Sequence, residues 1–172
     1  NVVLDKMGKP HSECYEAFQK LLYEITKSLG KKQYLVPYLM SSHPGSTLQE
    51  AVKLSLFLRD NGMHPEQVQD FYPTPGTIST CMYYTELDPY TMEPVYVPKT
   101  PKEKAMQRAL LQYYQPQNRQ LVLSALKQAG RQDLIGHKPH CPLAQEQRYD
   151  SQRNPADKTR QNPTKHRLST RQ

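Results

Sequence analysis

Apolar residues recur at helical spacing in four stretches of the chain. Phe18, Leu21, Leu22, Ile25 and Leu29 mark a first helix over 12–29, which Gly30 ends. Leu48, Val52 and Leu56 mark a second over 47–61; Thr47 and Glu50 open it as a capping box and Gly62 closes it. Ala105, Met106, Ala109, Leu110 and Tyr113 line a third over 101–114, with Thr100 as N-cap, Pro101 in its first turn and Glu103 completing the box. Leu121, Val122, Ala125, Leu126 and Ala129 line a fourth over 119–129, and Gly130 is its stop. Two stretches lose the helical period. Residues 33–40 are a short, near-continuous apolar run of the kind found in covered parallel sheets, with Pro37 placed at an edge or a bulge. Residues 67–72 are a second predicted strand, and 95–97 a third, smaller one. The order helix, strand, helix, strand is met most simply by parallel strands joined through a right-handed helical crossover. Beyond Leu143 no apolar period survives, and disorder is expected.

Composition changes this picture in three ways. The net charge of +7 is uneven: 144–172 hold seven basic and three acidic side chains, so most of the excess lies in a basic tail. The apolar share, 36%, falls below the roughly 45–50% of compact domains, partly because the tail dilutes it. Cys14, Cys81 and Cys141 are few, odd in number and far apart, which argues against a disulfide framework and for a reducing cytosol. No apolar run approaches the roughly 18 residues of a membrane span, so a cytoplasmic protein with no membrane partner is expected. The opening Asn1-Val2-Val3-Leu4-Asp5 reads like the interior of a longer polypeptide, and the chain is expected to be a fragment.

Candidate chemistry gathers after the two predicted strands. Met40-Ser41-Ser42-His43-Pro44-Gly45-Ser46-Thr47 places small residues and a proline–glycine turn between a strand end and a capped helix. Such a loop either presents free backbone amides to a ligand or is a plain turn. Asp70-Phe71-Tyr72-Pro73-Thr74-Pro75-Gly76-Thr77 is a rigid loop flanked by aromatics, suited to stacking on a base or to covering the end of a sheet. Ligands of open or closed α/β sheets sit at the carboxyl ends of the strands, where both loops fall.

These two stretches, with Pro65-Glu66-Gln67-Val68 and the later runs Val95-Tyr96-Val97-Pro98, Glu103–Leu110 and Ala129–Gly136, closely resemble the YgiQ-type radical S-adenosylmethionine (SAM) proteins over about residues 2 to 143. The proline–glycine turns are more distantly similar to those of methylthiotransferase-like radical SAM enzymes. The resemblance implies an α/β fold: the C-terminal part of a partial TIM-like (radical SAM) barrel over 1–86, a small helical extension over 87–143, and the disordered basic tail over 144–172. It also implies a 4Fe-4S cluster and SAM in the full-length parent, where the cluster cleaves SAM to a radical. The CxxxCxxC cluster motif is absent from this chain, so cluster ligands would be supplied upstream by the remainder of the parent chain. Met40, Ser41, Ser42, His43, Phe71, Tyr72 and Pro73 would line SAM or the substrate.

Other residues keep more than one reading. His43 bonds a ligand, acts as an acid or caps its turn. Asp70 orients a ligand group or caps its own loop. Cys81 lies near the open end of the barrel or is a buried, inert side chain. Cys141 with His137 and His140 matches no standard zinc spacing. The tail arginines and lysines, among them Arg148, Arg153 and Arg167, contact nucleic acid or are a solvated extension. A non-catalytic nucleic-acid-binding or interaction module using that tail is therefore the alternative to an enzyme fragment.

Overall fold

The computed structural model describes residues 1–136. Its elements are α1 (Val2–Lys6), α2 (Ser12–Ser28), β1 (Met40–Ser41), α3 (Leu48–Asp60), β2 (Gln69–Asp70), α4 (Ile78–Thr85), α5 (Pro101–Leu111) and α6 (Arg119–Gln128), with single 3₁₀ turns at Pro116–Asn118 and Gln132–Leu134. The predicted helices match α2, α3, α5 and α6 because their ends are written locally. The side chains of Thr47 and Thr100 accept from the amides of Glu50 and Glu103 at 3.2 and 3.3 Å. These bonds satisfy donors that the first helical turn leaves open.

The sheet is smaller than expected. β1 and β2 pair in parallel, Met40 opposite Gln69 and Ser41 opposite Asp70, and no other strand joins them among the described residues. The protein is mixed α/β, mostly helical, and the described residues form no closed barrel. The predicted strand 33–40 is paired only at its end, and the reason is stereochemical. Leu39 and Ser41 offer their carbonyls to the amides of Gln69 and Phe71 at 3.0 and 2.8 Å. The residue two places earlier on that side is Pro37, which has no N–H to extend the ladder. Residues 95–97 are not a strand either. A turn over 88–93 and one antiparallel bridge, Leu87 with Pro94, take their place.

The core is helical. Leu48, Ala51 and Val52 of α3 meet Met106, Ala109 and Leu110 of α5 and Val122, Ala125 and Leu126 of α6, with Tyr113 and Leu134 closing the cluster. Each fully buried leucine there stabilises the fold by about 1.5–3 kcal/mol relative to exposure. The cluster joins residues on both sides of the 86/87 boundary. The end of α5 also grips the segment before β2: Gln112 donates to the Glu66 carbonyl at 2.7 Å and the Tyr114 hydroxyl to that of Pro65 at 3.0 Å. α5 thus sets where both strand-end loops lie.

Candidate functional site

The loop after β1 is withdrawn from solvent. Ser41, Ser42, His43, Pro44 and Ser46 are all buried. A buried loop must satisfy its backbone groups, and Gln107 of α5 does much of that. Its Oε1 accepts from the Ser42 amide at 3.1 Å and from the Ser46 hydroxyl at 2.8 Å, while its Nε2 donates to the Ser46 carbonyl at 2.7 Å. One fully buried amide side chain therefore clamps both ends of the turn.

A second layer holds the clamp. Gln107 Nε2 reaches Glu103 Oε1 at 3.4 Å, and the Tyr96 hydroxyl donates to the same oxygen at 2.5 Å. The Tyr96 carbonyl accepts from the Gly45 amide at 2.7 Å. Burial, then the bond to Glu103, pushes the Tyr96 hydroxyl up to about 12. About half of the Tyr96 residue stays open to solvent, so the desolvation concerns its polar end.

His43 links this loop to α4. Its Nδ1 lies 2.8 Å from the Pro44 carbonyl and its Nε2 2.8 Å from the Ser79 hydroxyl. A carbonyl only accepts, so Nδ1 carries the proton and Nε2 accepts from Ser79. Burial pushes the imidazole below its ordinary value, with the bond to Pro44 opposing in part. The ring stands edge-on to Phe71, 5.0 Å between centroids, and Phe71 continues to Tyr83 at 5.7 Å. Ser79 also lines a groove of about 400 Å³ between α1, the start of α4 and the 88–90 turn, beside Lys6, Gly76, Asp88 and Tyr90. There Lys6 Nζ donates to Asp88 at 2.5 Å and holds that carboxyl below its usual range.

The predicted site residues thus divide. Ser41, Ser42, His43 and Phe71 come together at the carboxyl ends of β1 and β2, but buried. Met40 and Pro73 are half-buried, and Tyr72 stands 81% exposed. The loop amides expected to be free are partly engaged: those of Ser42, Gly45 and Ser46 bond within the protein. Asp70 orients a group of the protein, accepting from the Ser41 hydroxyl at 2.5 Å and from Arg108 Nε at 3.0 Å. Cys81, read as near the barrel's open end or buried, is exposed on α4. The rigid loop Asp70–Thr77 is followed at Ile78 by a helix that was not predicted, α4, which Thr77 caps by accepting from the Thr80 amide at 3.2 Å. The spacing of Thr77 and Thr80 was the available signal; two prolines and a glycine just before it masked it. Gln107 and Ser79 carried no sequence signal, since their partners lie far along the chain. His137, His140, Cys141 and the basic tail lie outside the described residues.

Among the described residues no three His, Cys, Asp or Glu side chains gather where a metal ion could be held. With Cys14 and Cys81 exposed on separate helices, these residues do not fit an iron–sulfur cluster. The strand-end loop does keep one polar group unsatisfied. Ser42 is fully buried, has a left-handed backbone at φ +62°, and its Oγ has no hydrogen-bond partner among the described residues.

Residues 66–172 match a family model described as a domain of unknown function, DUF3362. The chain belongs to that family. The DUF3362 match begins between α3 and β2, so the helical core and the His43–Phe71 contact straddle its edge. The chain is 59% identical over 139 residues to a UPF0313 protein of Clostridium perfringens (strain SM101 / Type A), covering 81% of this chain and 21% of that protein. It is 56% identical over 139 residues to a UPF0313 protein of Clostridium botulinum (strain Okra / Type B1), covering 81% and 22%. The chain therefore spans about a fifth of the length of these curated relatives. No solved structure matches it. Among the described residues no helix is long and apolar enough to cross a membrane.

Proposed function

We propose that this chain is the distal part of a radical SAM protein, and that its strand-end loops form one wall of the pocket for SAM or the substrate. The observation that carries the reading is the parallel β1–β2 pair, whose carboxyl ends bear both loops resembling that family. The leftover Ser42 hydroxyl supports it, as a buried polar atom at that end for which the described residues supply no partner. The cluster would be bound by the remainder of the parent chain. The residues described here would shape, orient and exclude water: Gln107 by fixing the Ser42–Ser46 turn, Phe71 and His43 by packing beneath it, Tyr72 by offering an exposed ring. Cleaving SAM to a radical is chemistry that a bound cluster supplies. The test is anaerobic reconstitution of the full-length parent with iron and sulfide, followed by reduction with SAM present. The reading expects cluster absorption and formation of 5′-deoxyadenosine; the absence of both rejects it.

A further inference from the structure

Ser79 and His43 form a pair that the proposed chemistry does not use. Ser79 is the second residue of α4, and the Thr77 cap fixes the start of that helix. His43 is held from the other side by the Pro44 carbonyl and the Phe71 ring. Because Nδ1 spends its proton on Pro44, Nε2 has only a lone pair to offer, and the Ser79 hydroxyl donates to it at 2.8 Å. Burial favours the neutral imidazole, which is the form that takes a proton. Hydroxyl, base and a group that orients the base are thus in place, as an activated serine requires. The other loop serines differ. Ser41 donates to the Asp70 carboxylate and Ser46 to the Gln107 amide, neither of which is as strong a base as an imidazole.

Access to the pair is one-sided. His43 is 2% exposed, whereas Ser79 is half-buried and lines the groove of about 400 Å³. A molecule in that groove meets the hydroxyl and not the ring. The volume suits a small ligand, and Met7, Ile78, Met82 and Tyr90 give it apolar walls. Lys6 is engaged by Asp88 and Asp5 by His11, so the charged side chains at the groove already have partners and an uncharged ligand fits best. The amides of Ile78 and Ser79 open α4 and have no partner among the described residues. The Ser79 amide lies on the same residue as the hydroxyl, where it can donate to the oxyanion that forms when that oxygen attacks a carbonyl.

We infer that Ser79 is a nucleophile, with His43 as its base, for an uncharged ester of a short-chain acid bound in this groove. The Ser79 oxygen bonds to the acyl carbon, the ester C–O bond breaks, and the serine proton passes through His43 Nε2 to the departing alcohol. No oxidant or reductant takes part, and the inference holds whether or not the parent cleaves SAM. A fluorophosphonate probe on the unmodified full-length parent tests it, since the probe bonds to an activated serine oxygen and loses fluoride. Peptide-resolved mass spectrometry should find the adduct on Ser79 in the native protein and not in the urea-unfolded protein. His43→Gln keeps a donor for Pro44 and an acceptor for Ser79 but supplies no base, and should slow labelling about a hundredfold. 4-Nitrophenyl acetate should release about one equivalent of 4-nitrophenol in a burst that Ser79→Ala abolishes. No adduct on Ser79, an adduct that forms equally in unfolded protein or in His43→Gln, or a burst that is absent or survives Ser79→Ala overturns the inference.

Discussion

α2 and α6 both have apolar stripes at helical spacing, yet they end in opposite environments. In α6, Val122, Ala125 and Leu126 are completely buried against α3 and α5. In α2, Phe18, Leu21 and Ile25 are about half exposed. The contact of α2 with α3 runs through an edge-on pair, Tyr15 with Phe57, 6.5 Å between centroids. The contrast separates two properties that a sequence pattern merges. Periodicity states which face of a helix is apolar. Burial depends on whether the polypeptide at hand supplies a surface for that face. α6 finds its surface within the described residues and α2 does not.

The contrast can be tested by substitution, and the largest effect belongs to the core. Leu126→Ala should lower the stability of the folded chain by about 2–5 kcal/mol in urea unfolding, since the cavity it leaves is walled by three helices. Gln107→Leu comes next, at about 1–3 kcal/mol, because the buried Ser42 amide and Ser46 carbonyl lose their partner. Thr100→Ala should remove about 1 kcal/mol with the cap of α5. Smallest is Phe18→Ala on α2, within about 0.5 kcal/mol. A loss at Phe18 equal to that at Leu126 would erase the distinction between the two regions. In the full-length parent a larger loss at Phe18 would sharpen it, by showing that the missing surface is supplied there.

Acid offers a separate probe of the His43 contact. The folded imidazole lies below its ordinary value of 6.5, so folded protein binds fewer protons than unfolded protein between those two values. Stability should therefore fall as pH drops through 6.5 toward the folded value, and level off below it. His43→Gln should remove that slope. An unchanged slope in unfolding experiments across this range would place the titrating group elsewhere.

How far the sequence revealed these features follows the distance over which each is determined. The ends of α3 and α5 were legible because each depends on residues three apart. α4 was obscured, since Pro73, Pro75 and Gly76 dominate the local reading while its cap depends on Thr77 and Thr80 alone. The two loops at the strand ends were found from composition. Their burial was not, because it depends on Gln107, which lies 61 to 65 residues away in the chain from the groups it holds. Pro37 was placed at an edge or a bulge of the predicted strand. Its effect is one-sided, and only the register reveals which side.

Gly45 has a consequence for experiment. Its backbone sits at φ +89°, and a Cβ placed there would lie 3.2 Å from Lys6 Cγ. The lysine stem thus crosses the turn where a methyl group would stand, while its ammonium bonds Asp88. The nucleophilicity of that single amine is therefore a chemical gauge of whether the turn is seated. Acylating reagents should modify Lys6 slowly in the native protein and readily in Gly45→Ala, which both strains the backbone and displaces the stem.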